Sequence, residues 1–170
     1  MKQPAFLQSG ALVAVVAPAG RVAPEQVLPA LTWLEQEGFR VWQGSNLFGE
    51  EHQYAASDAG RAADLQAALD HPEVKAVFCA RGGYGTARII DRLDFAGFLR
   101  HPKWLVGFSD ITVLHNRLHQ LQVATIHGVM PRYFLDDSGL PTEGSRALLS
   151  LLRGEKAAYT IAPAAWNRAG

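Results

Sequence analysis

The chain has 170 residues, of which 48% are hydrophobic and 19% charged, a composition that can bury one sizeable core and excludes a disordered chain. Its 16 basic and 16 acidic residues balance to a formal net charge of zero, which excludes the overall positive field of a dedicated nucleic-acid binder. The single cysteine, Cys79, excludes an internal disulfide and a cysteine-based zinc site.

The N-terminal segment does not look like a targeting sequence. Residues 1–10 carry no long apolar run, and the apolar run 11–17 is too short to cross a bilayer. Together with the cysteine usage, this predicts a cytoplasmic protein with no membrane partner.

Short apolar runs alternate with helical patterns through the first half of the chain. Residues 11–18 form an unbroken apolar run, typical of a strand buried on both faces, and 24–37 predict a helix opened by Pro24. A second strand is predicted at 39–44. A helix capped by Asp58 then runs to about residue 69.

The alternation continues through the second half. Strands are predicted at 74–80, 104–110 and 123–128. A helix follows residue 85, and another follows the strand at 104–110, with apolar residues spaced 3-4-3. A last helix, residues 142–153, is capped by Thr142 and stopped by Gly154.

This alternation predicts an α/β fold, with a mostly parallel sheet flanked by helices on both faces, flavodoxin-like or like the N-terminal domain of class I glutamine amidotransferases. Turn-rich loops at 18–20, 81–85 and 107–110 follow three strands and are expected to converge at the carboxyl edge of the sheet. We expect residues 1–154 to form this domain, and residues 155–170 to begin a linker to a C-terminal domain.

Ser109 lies between a predicted strand and helix, in the sequence Gly-Phe-Ser-Asp. Such a turn lifts a serine hydroxyl clear of the sheet, as in a nucleophile elbow, and the N–H of Asp110 would face an oxyanion formed beside it. A plain helix cap explains Ser109 and Asp110 equally well from spacing alone.

The loop Arg-Gly-Gly-Tyr-Gly, residues 81–85, follows a buried strand. Adjacent glycines allow close backbone approach to a ligand, which suits a phosphate nest or a second oxyanion donor. The loop lacks the spacing of dinucleotide-binding and P-loop motifs, and an ordinary strand-to-helix turn remains an alternative.

Other reactive residues offer weaker candidates. His115 and His119 lie four apart on one predicted helix but lack a third metal ligand, so we predict no metal and no cofactor. His127 follows a strand and is a candidate base for Ser109. Cys79 lies on an apolar strand, where an inert buried thiol is the usual arrangement.

Taken together, the motifs resemble the muramoyl-tetrapeptide LD-carboxypeptidases, a family of serine peptidases with a microcin-immunity branch. The resemblance rests on VAVVAPAG (13–20), RAADLQAALDHPEVKAV (61–77), AVFCARGGYGTARIIDRLDF (76–95), WLVGFSDITVLH (104–115) and TIHG (125–128). It covers essentially the whole chain in the right order.

The resemblance implies that Ser109 is the nucleophile and that the backbone N–H groups of Asp110 and Gly83 form the oxyanion hole. We expect Gly82 and Tyr84 to contact the substrate. The family's glutamate and histidine belong to a separate C-terminal domain, so neither role is assigned here. The isolated chain is therefore expected to fold but to have little or no peptidase activity.

The implied reaction removes the terminal D-Ala from murein tetrapeptides, cutting its amide to an L-centre, in peptidoglycan recycling. The murein tetrapeptide is the expected partner, and a homodimer is expected for the full enzyme. The alternatives are a microcin-type peptidyl-nucleotide immunity peptidase and a non-catalytic ligand-binding α/β module. A Cys79 hydrolase and a metal hydrolase using His115 and His119 are further alternatives.

Overall fold

The protein is built around a five-stranded sheet in the order β2-β1-β3-β4-β5, in a computed structural model that describes residues 1–156, Ala164 and Trp166. Every adjacent pair of strands is parallel. This is the strand order of flavodoxin-like sheets, and it confirms the predicted fold class. The strands are Leu12–Val16 (β1), Arg40–Gln43 (β2), Val74–Cys79 (β3), Trp104–Gly107 (β4) and Ile126–His127 (β5).

Six α-helices connect or follow the strands in the part of the chain that the structure describes. They are Pro24–Gln36 (α1), Asp58–Asp70 (α2), Thr86–Ile89 (α3), Ala96–Arg100 (α4), Thr112–Gln120 (α5) and Glu143–Leu152 (α6). Short 3₁₀ helices occupy Ile90–Arg92, Ser109–Ile111 and Pro131–Tyr133. Among these described helices, none has the length and apolar character needed to cross a membrane.

The sheet separates two apolar cores. Val13 and Val15 of β1 pack on one face, whereas Leu12, Ala14 and Val16 pack on the other. Because successive strand side chains point to opposite faces, an unbroken apolar run is what such a strand requires. The first core is closed by α1 and α6, and the second by α2, α4 and α5.

Several element boundaries differ from the sequence predictions. Ser57, rather than Asp58, caps α2, because the Ser57 hydroxyl accepts the N–H of Gly60 at 3.1 Å. The carboxylate of Asp58 instead pairs with arginines. The strand predicted at 123–128 shortens to Ile126–His127, and the short helix α4 was not predicted. The predicted linker, 155–170, lies largely outside the described residues, so the boundary at 154 stays a prediction.

Candidate functional site

Three loops meet at the carboxyl edge of the sheet. The N–H of Gly20, after β1, donates to the carbonyl oxygen of Gly82, after β3, at 3.0 Å. A β carbon on Gly82 would lie 3.0 Å from the β carbon of Ser109, after β4. The sequence predicted that these loops converge, and the structure places them in direct contact. Only glycine fits at position 82 without displacing its neighbours.

Ser109 occupies a strained turn between β4 and α5. Its φ is +62°, a left-handed conformation that costs a non-glycine residue about 1–3 kcal/mol unless its surroundings impose it. The N–H of Ile111 donates back to the carbonyl of Phe108 at 3.3 Å, which closes the turn. Ser109 is exposed, and its hydroxyl makes no hydrogen bond to any described residue. The turn therefore presents a free hydroxyl to solvent.

The loop after β3 takes a conformation that depends on glycine. Gly83 and Gly85 have φ values of +112° and +129°. Gly83 is exposed, and its N–H has no acceptor within the described part of the chain. Next to it, Gly82 is buried and Tyr84 is 73% exposed. The loop thus offers the Gly83 N–H as an unused backbone donor beside the serine turn.

The carboxylate of Asp110 joins this loop to the serine turn. Its Oδ2 accepts the N–H of Thr86, the first residue of α3, at 2.9 Å. Negative charge at a helix N-terminus is favourable, although α3 has a single turn. Sequence analysis considered only the backbone of Asp110 and missed this contact, because nothing in the sequence shows which helix start its side chain reaches.

Arg61 is a second feature that sequence analysis missed. Its side chain is buried beneath the loops, with a residue exposure of 1%. Burial lowers the pKa of its guanidinium, and the carboxylate of Asp58 opposes that shift. Spacing in the sequence could have indicated this burial, because Arg61 lies four residues before Leu65 and therefore on the same, buried face of α2.

His115 is held in a structural role. Its Nε2–H donates to the carbonyl oxygen of Gly107 at 2.9 Å, and its Nδ1 accepts the hydroxyl of Thr125 at 2.8 Å. Burial lowers the pKa of this ring below its ordinary value. Both ring nitrogens are therefore engaged, while His119 on the same helix faces solvent. The described residues contain no cluster of three or more metal-ligating side chains.

His127 lies next to an apolar pocket of about 380 Å³ rather than in a bonded pair with Ser109. The ring centroids of Phe108 and His127 are 6.2 Å apart, and Gly128, Val129 and Tyr133 complete the lining. Within the described residues, His127 makes no hydrogen bond to Ser109. Among the residues that the structure describes, Ser109 therefore has no hydrogen-bonded base.

Cys79 lies inside the sheet and is fully buried. Burial raises the pKa of its thiol, and the negative charge of Asp110 adds to that shift. A protonated, enclosed thiol is a poor nucleophile. These properties argue against the Cys79 alternative.

Comparison with known proteins identifies the family. Residues 13–128 match the family model described as the LD-carboxypeptidase N-terminal domain. A probable murein peptide carboxypeptidase of Bacillus subtilis is 42% identical over 75% of this chain and 40% of its own length. The murein tetrapeptide carboxypeptidase of Pseudomonas aeruginosa is 34% identical over 82% of this chain and 46% of its own length.

Solved structures show the same fold. A muramoyltetrapeptide carboxypeptidase from Oxalobacter formigenes superposes with a TM-score of 0.71 at 28% identity, over 82% of this chain and 47% of that protein. An MccF-like protein from Bacillus anthracis gives a TM-score of 0.79 at 25% identity, over 89% of this chain and 47% of that protein.

The chain spans less than half the length of these relatives. The matched region nevertheless contains most of β1, all of β3 and β4, and the three loops that meet at Ser109. On this evidence the chain belongs to the LD-carboxypeptidase family, and residues 13–128 correspond to that family's N-terminal domain.

Proposed function

We propose that this chain is the nucleophile-bearing half of a serine LD-carboxypeptidase that releases the terminal D-Ala of murein tetrapeptides. The observation that carries the proposal is the exposed Ser109 hydroxyl, held at φ +62° on a strand-to-helix turn. Strain of this kind is characteristic of functional sites. The names of two relatives, a murein peptide carboxypeptidase and a murein tetrapeptide carboxypeptidase, support this substrate class.

In the proposed reaction, Ser109 Oγ attacks the carbonyl carbon of the amide that joins the L-centre of diaminopimelate or lysine to D-Ala. The hydroxyl proton passes to a general base, which then protonates the amine of D-Ala as the C–N bond breaks. The shortened peptide remains as a serine ester. Water, deprotonated by the same base, hydrolyses that ester and restores the hydroxyl.

The oxyanion of the tetrahedral intermediate would be held by the backbone N–H groups of Asp110 and Gly83. The Gly83 N–H is unused by any described residue, and Asp110 follows the serine at the start of a helical segment. Loss of one such donor costs about 10²–10³-fold in kcat. We assign substrate contacts to Tyr84, which is exposed, and to Gly82, which leaves the space beside Ser109 open.

We propose that the base comes from outside the described residues. His115 is committed to Gly107 and Thr125, and no described histidine or carboxylate is bonded to Ser109. The family resemblance assigns a glutamate and a histidine to a C-terminal domain. Residues 1–170 alone should therefore show little or no activity, and the full enzyme is proposed to act in the cytoplasm, as a homodimer, in peptidoglycan recycling.

A second candidate is a microcin-type immunity peptidase acting on peptidyl nucleotides. It is favoured by the likeness to the MccF-like protein of Bacillus anthracis, at 25% identity and a TM-score of 0.79. Both candidates use the same serine chemistry, so the substrate assay separates them.

The test is D-Ala release from a murein tetrapeptide by the full-length gene product. Ser109→Ala should lower kcat by about 10⁴-fold or more, because a serine hydrolase retains little activity without its nucleophile. Ser45→Ala, in an exposed loop, is the matched control and should retain wild-type activity.

Three results would change the proposal. Serine-dependent hydrolysis of a peptidyl nucleotide without D-Ala release would favour the immunity peptidase. Tight ligand binding without hydrolysis, unaffected by Ser109→Ala, would favour a binding module. Robust release by residues 1–170 alone would reassign the base to this chain, with His127 as the first candidate.

A further inference from the structure

The buried side chain of Arg61 bridges two of the loops that meet at Ser109. Its Nη1 donates to the carbonyl oxygens of Pro18, at 2.5 Å, and of Gly85, at 2.9 Å. Nε donates to the carbonyl of Ala56 at 3.0 Å, and Nη2 pairs with Asp58. One guanidinium thus fixes the loop after β1 and the loop after β3 relative to each other.

Stability alone does not explain the burial of the Arg61 guanidinium, because that burial has energetic costs. Arg61 lies in the first turn of α2, where the helix dipole disfavours a cation. Its burial removes the guanidinium from water, and only full pairing offsets that cost. Apolar residues of similar volume commonly replace buried ion pairs without loss of stability. The geometry that the guanidinium imposes on the loops therefore needs an explanation beyond stability.

The geometry matters because the bridged loop carries the proposed oxyanion donor. A β carbon on Gly85 would lie 2.6 Å from Nη1 of Arg61, so the loop rests directly on the guanidinium. Gly83 is two residues earlier in that loop. Gly82, before it, is bonded to Gly20, and Thr86, after Gly85, is bonded to Asp110. Arg61 is thus the contact that holds the loop from beneath.

We propose that Arg61 is a positioning residue that holds loops 18–20 and 82–85 so that the N–H of Gly83 faces the oxyanion formed at Ser109. The inference rests on the proposed function and deepens it. Arg61 does not touch the substrate, since its side chain is enclosed. It acts by setting where a backbone donor lies, and a misplacement of about 1 Å costs about 10²-fold in rate.

The test compares Arg61→Lys with Arg88→Lys in the full-length gene product. Both arginines pair with Asp58, but the Arg88 side chain is exposed on α3 and donates to Asp58 rather than to the loops. A lysine at 61 keeps the charge, but its side chain is shorter and its single ammonium cannot supply the bonds of Nη1, Nε and Nη2 together. Arg61→Lys should lower kcat per folded molecule by about 10²-fold and change KM by less than about threefold, whereas Arg88→Lys should retain wild-type values.

Labelling of Ser109 by a fluorophosphonate probe gives a second readout, because phosphonylation uses the same oxyanion hole. Arg61→Lys should slow labelling about as much as kcat. If Arg61→Lys loses stability but keeps wild-type kcat and labelling per folded molecule, Arg61 is a structural residue and the inference is wrong. Arg61→Gln, which keeps an N–H donor but not the guanidinium, repeats the test if the lysine variant does not fold.

The two proposals fail in different ways. An active, Ser109-dependent wild type with an unaffected Arg61→Lys overturns only the role of Arg61. A wild type that labels at Ser109 without releasing D-Ala overturns the substrate, and slower labelling of Arg61→Lys then still supports positioning. A wild type with neither activity nor labelling overturns both proposals, because Ser109 would then not act as a nucleophile that Arg61 could help.

Discussion

Two buried cations contact α2 at its opposite ends, and the physical reason for burying a cation differs between the two ends. Arg61 lies in the first turn, at the carboxyl edge of the sheet, and Lys103 lies against the last turn, at the amino edge. Lys103 Nζ donates to the carbonyls of Ala68, Leu69 and His71 at 3.2, 2.7 and 2.7 Å. These are orphan carbonyls of a helix end, which a cation satisfies while matching the dipole.

The same helix therefore places one cation where its dipole favours it and another where its dipole opposes it. Burial lowers the pKa of Lys103 to about 8, against the opposing charge of Asp70, so the amine remains mostly protonated at neutral pH. Helix capping accounts for Lys103 completely. Capping does not account for Arg61, which instead bonds the two loops of the candidate functional site. At the amino edge the buried cation stabilises a helix end, whereas at the carboxyl edge the buried cation positions two loops.

The largest expected effect is on stability at the amino edge. Lys103→Met should lower the free energy of unfolding by about 3 kcal/mol, because it leaves two buried carbonyls and one part-buried carbonyl without a donor while relieving the desolvation of one ammonium. Urea unfolding followed by circular dichroism measures the change. Lys75→Met, at an exposed position of β3, is the control and should stay within about 0.5 kcal/mol of wild type.

Measuring the activity of Lys103→Met completes the test of the amino edge. Per folded molecule, Lys103→Met should keep the wild-type kcat, since the Lys103 ammonium donates to carbonyls at the end of α2, at the edge of the sheet opposite Ser109. A selective loss of kcat in a folded Lys103→Met variant would break the division between the two edges.

A pair of glycines gives the next largest effect. Gly82→Ala would bring a β carbon within 3.0 Å of the Ser109 β carbon and 3.2 Å of the Phe108 carbonyl oxygen, so the serine turn must shift. We expect kcat for D-Ala release to fall by about 10²-fold. Gly144→Ala, in the first turn of α6 with nothing nearer than 4.0 Å, should keep kcat and gain up to about 1 kcal/mol of stability. Equal activity of the two variants would contradict the proposed placement of Ser109.

Sequence patterns were sufficient for the fold because the burial of each element repeats along the chain. The apolar run of β1 reports burial on both faces, and the 3-4-3 spacing that places Leu114 and Leu118 together reports burial on one face of α5. The strand at 123–128 was overextended because Val123 forms an isolated bridge with Lys2 instead of pairing with β4. Only Ile126 and His127 pair with β4.

The site was partly predictable for the same reason. Ser109, Gly83 and Asp110 lie at strand ends, and parallel strands bring those ends together. The contacts of Arg61 with Pro18 and of Asp110 with Thr86 join residues 43 and 24 positions apart. Such contacts depend on where side chains reach after folding, which periodicity does not encode.

Strain at Ser109 predicts a smaller and opposite effect on stability. Ser109→Gly should abolish D-Ala release and raise the free energy of unfolding by about 1 kcal/mol, because glycine adopts φ +62° without a β-carbon penalty. Ser109→Ala, which keeps the β carbon, is the control and should leave stability nearly unchanged. A Ser109→Gly variant less stable than Ser109→Ala would show that the turn stores no strain.

The smallest expected effect concerns pH at His115, whose ring holds the carbonyl of Gly107 just before the serine turn. Because burial lowers the pKa of His115 in the folded protein below 6.5, the unfolded chain binds more protons than the folded one as the pH falls below that value. The contribution of the neutral ring is therefore complete above about pH 6.5 and is lost as the pH falls through the folded pKa.

Unfolding free energies measured from pH 7.5 to 5 should decline more steeply for wild type than for His115→Gln. His119→Gln, exposed on the same helix, should follow wild type. If His115→Gln declined in parallel with wild type, other groups would govern the pH dependence, and the carboxyl edge would lack this acid-sensitive support next to Ser109.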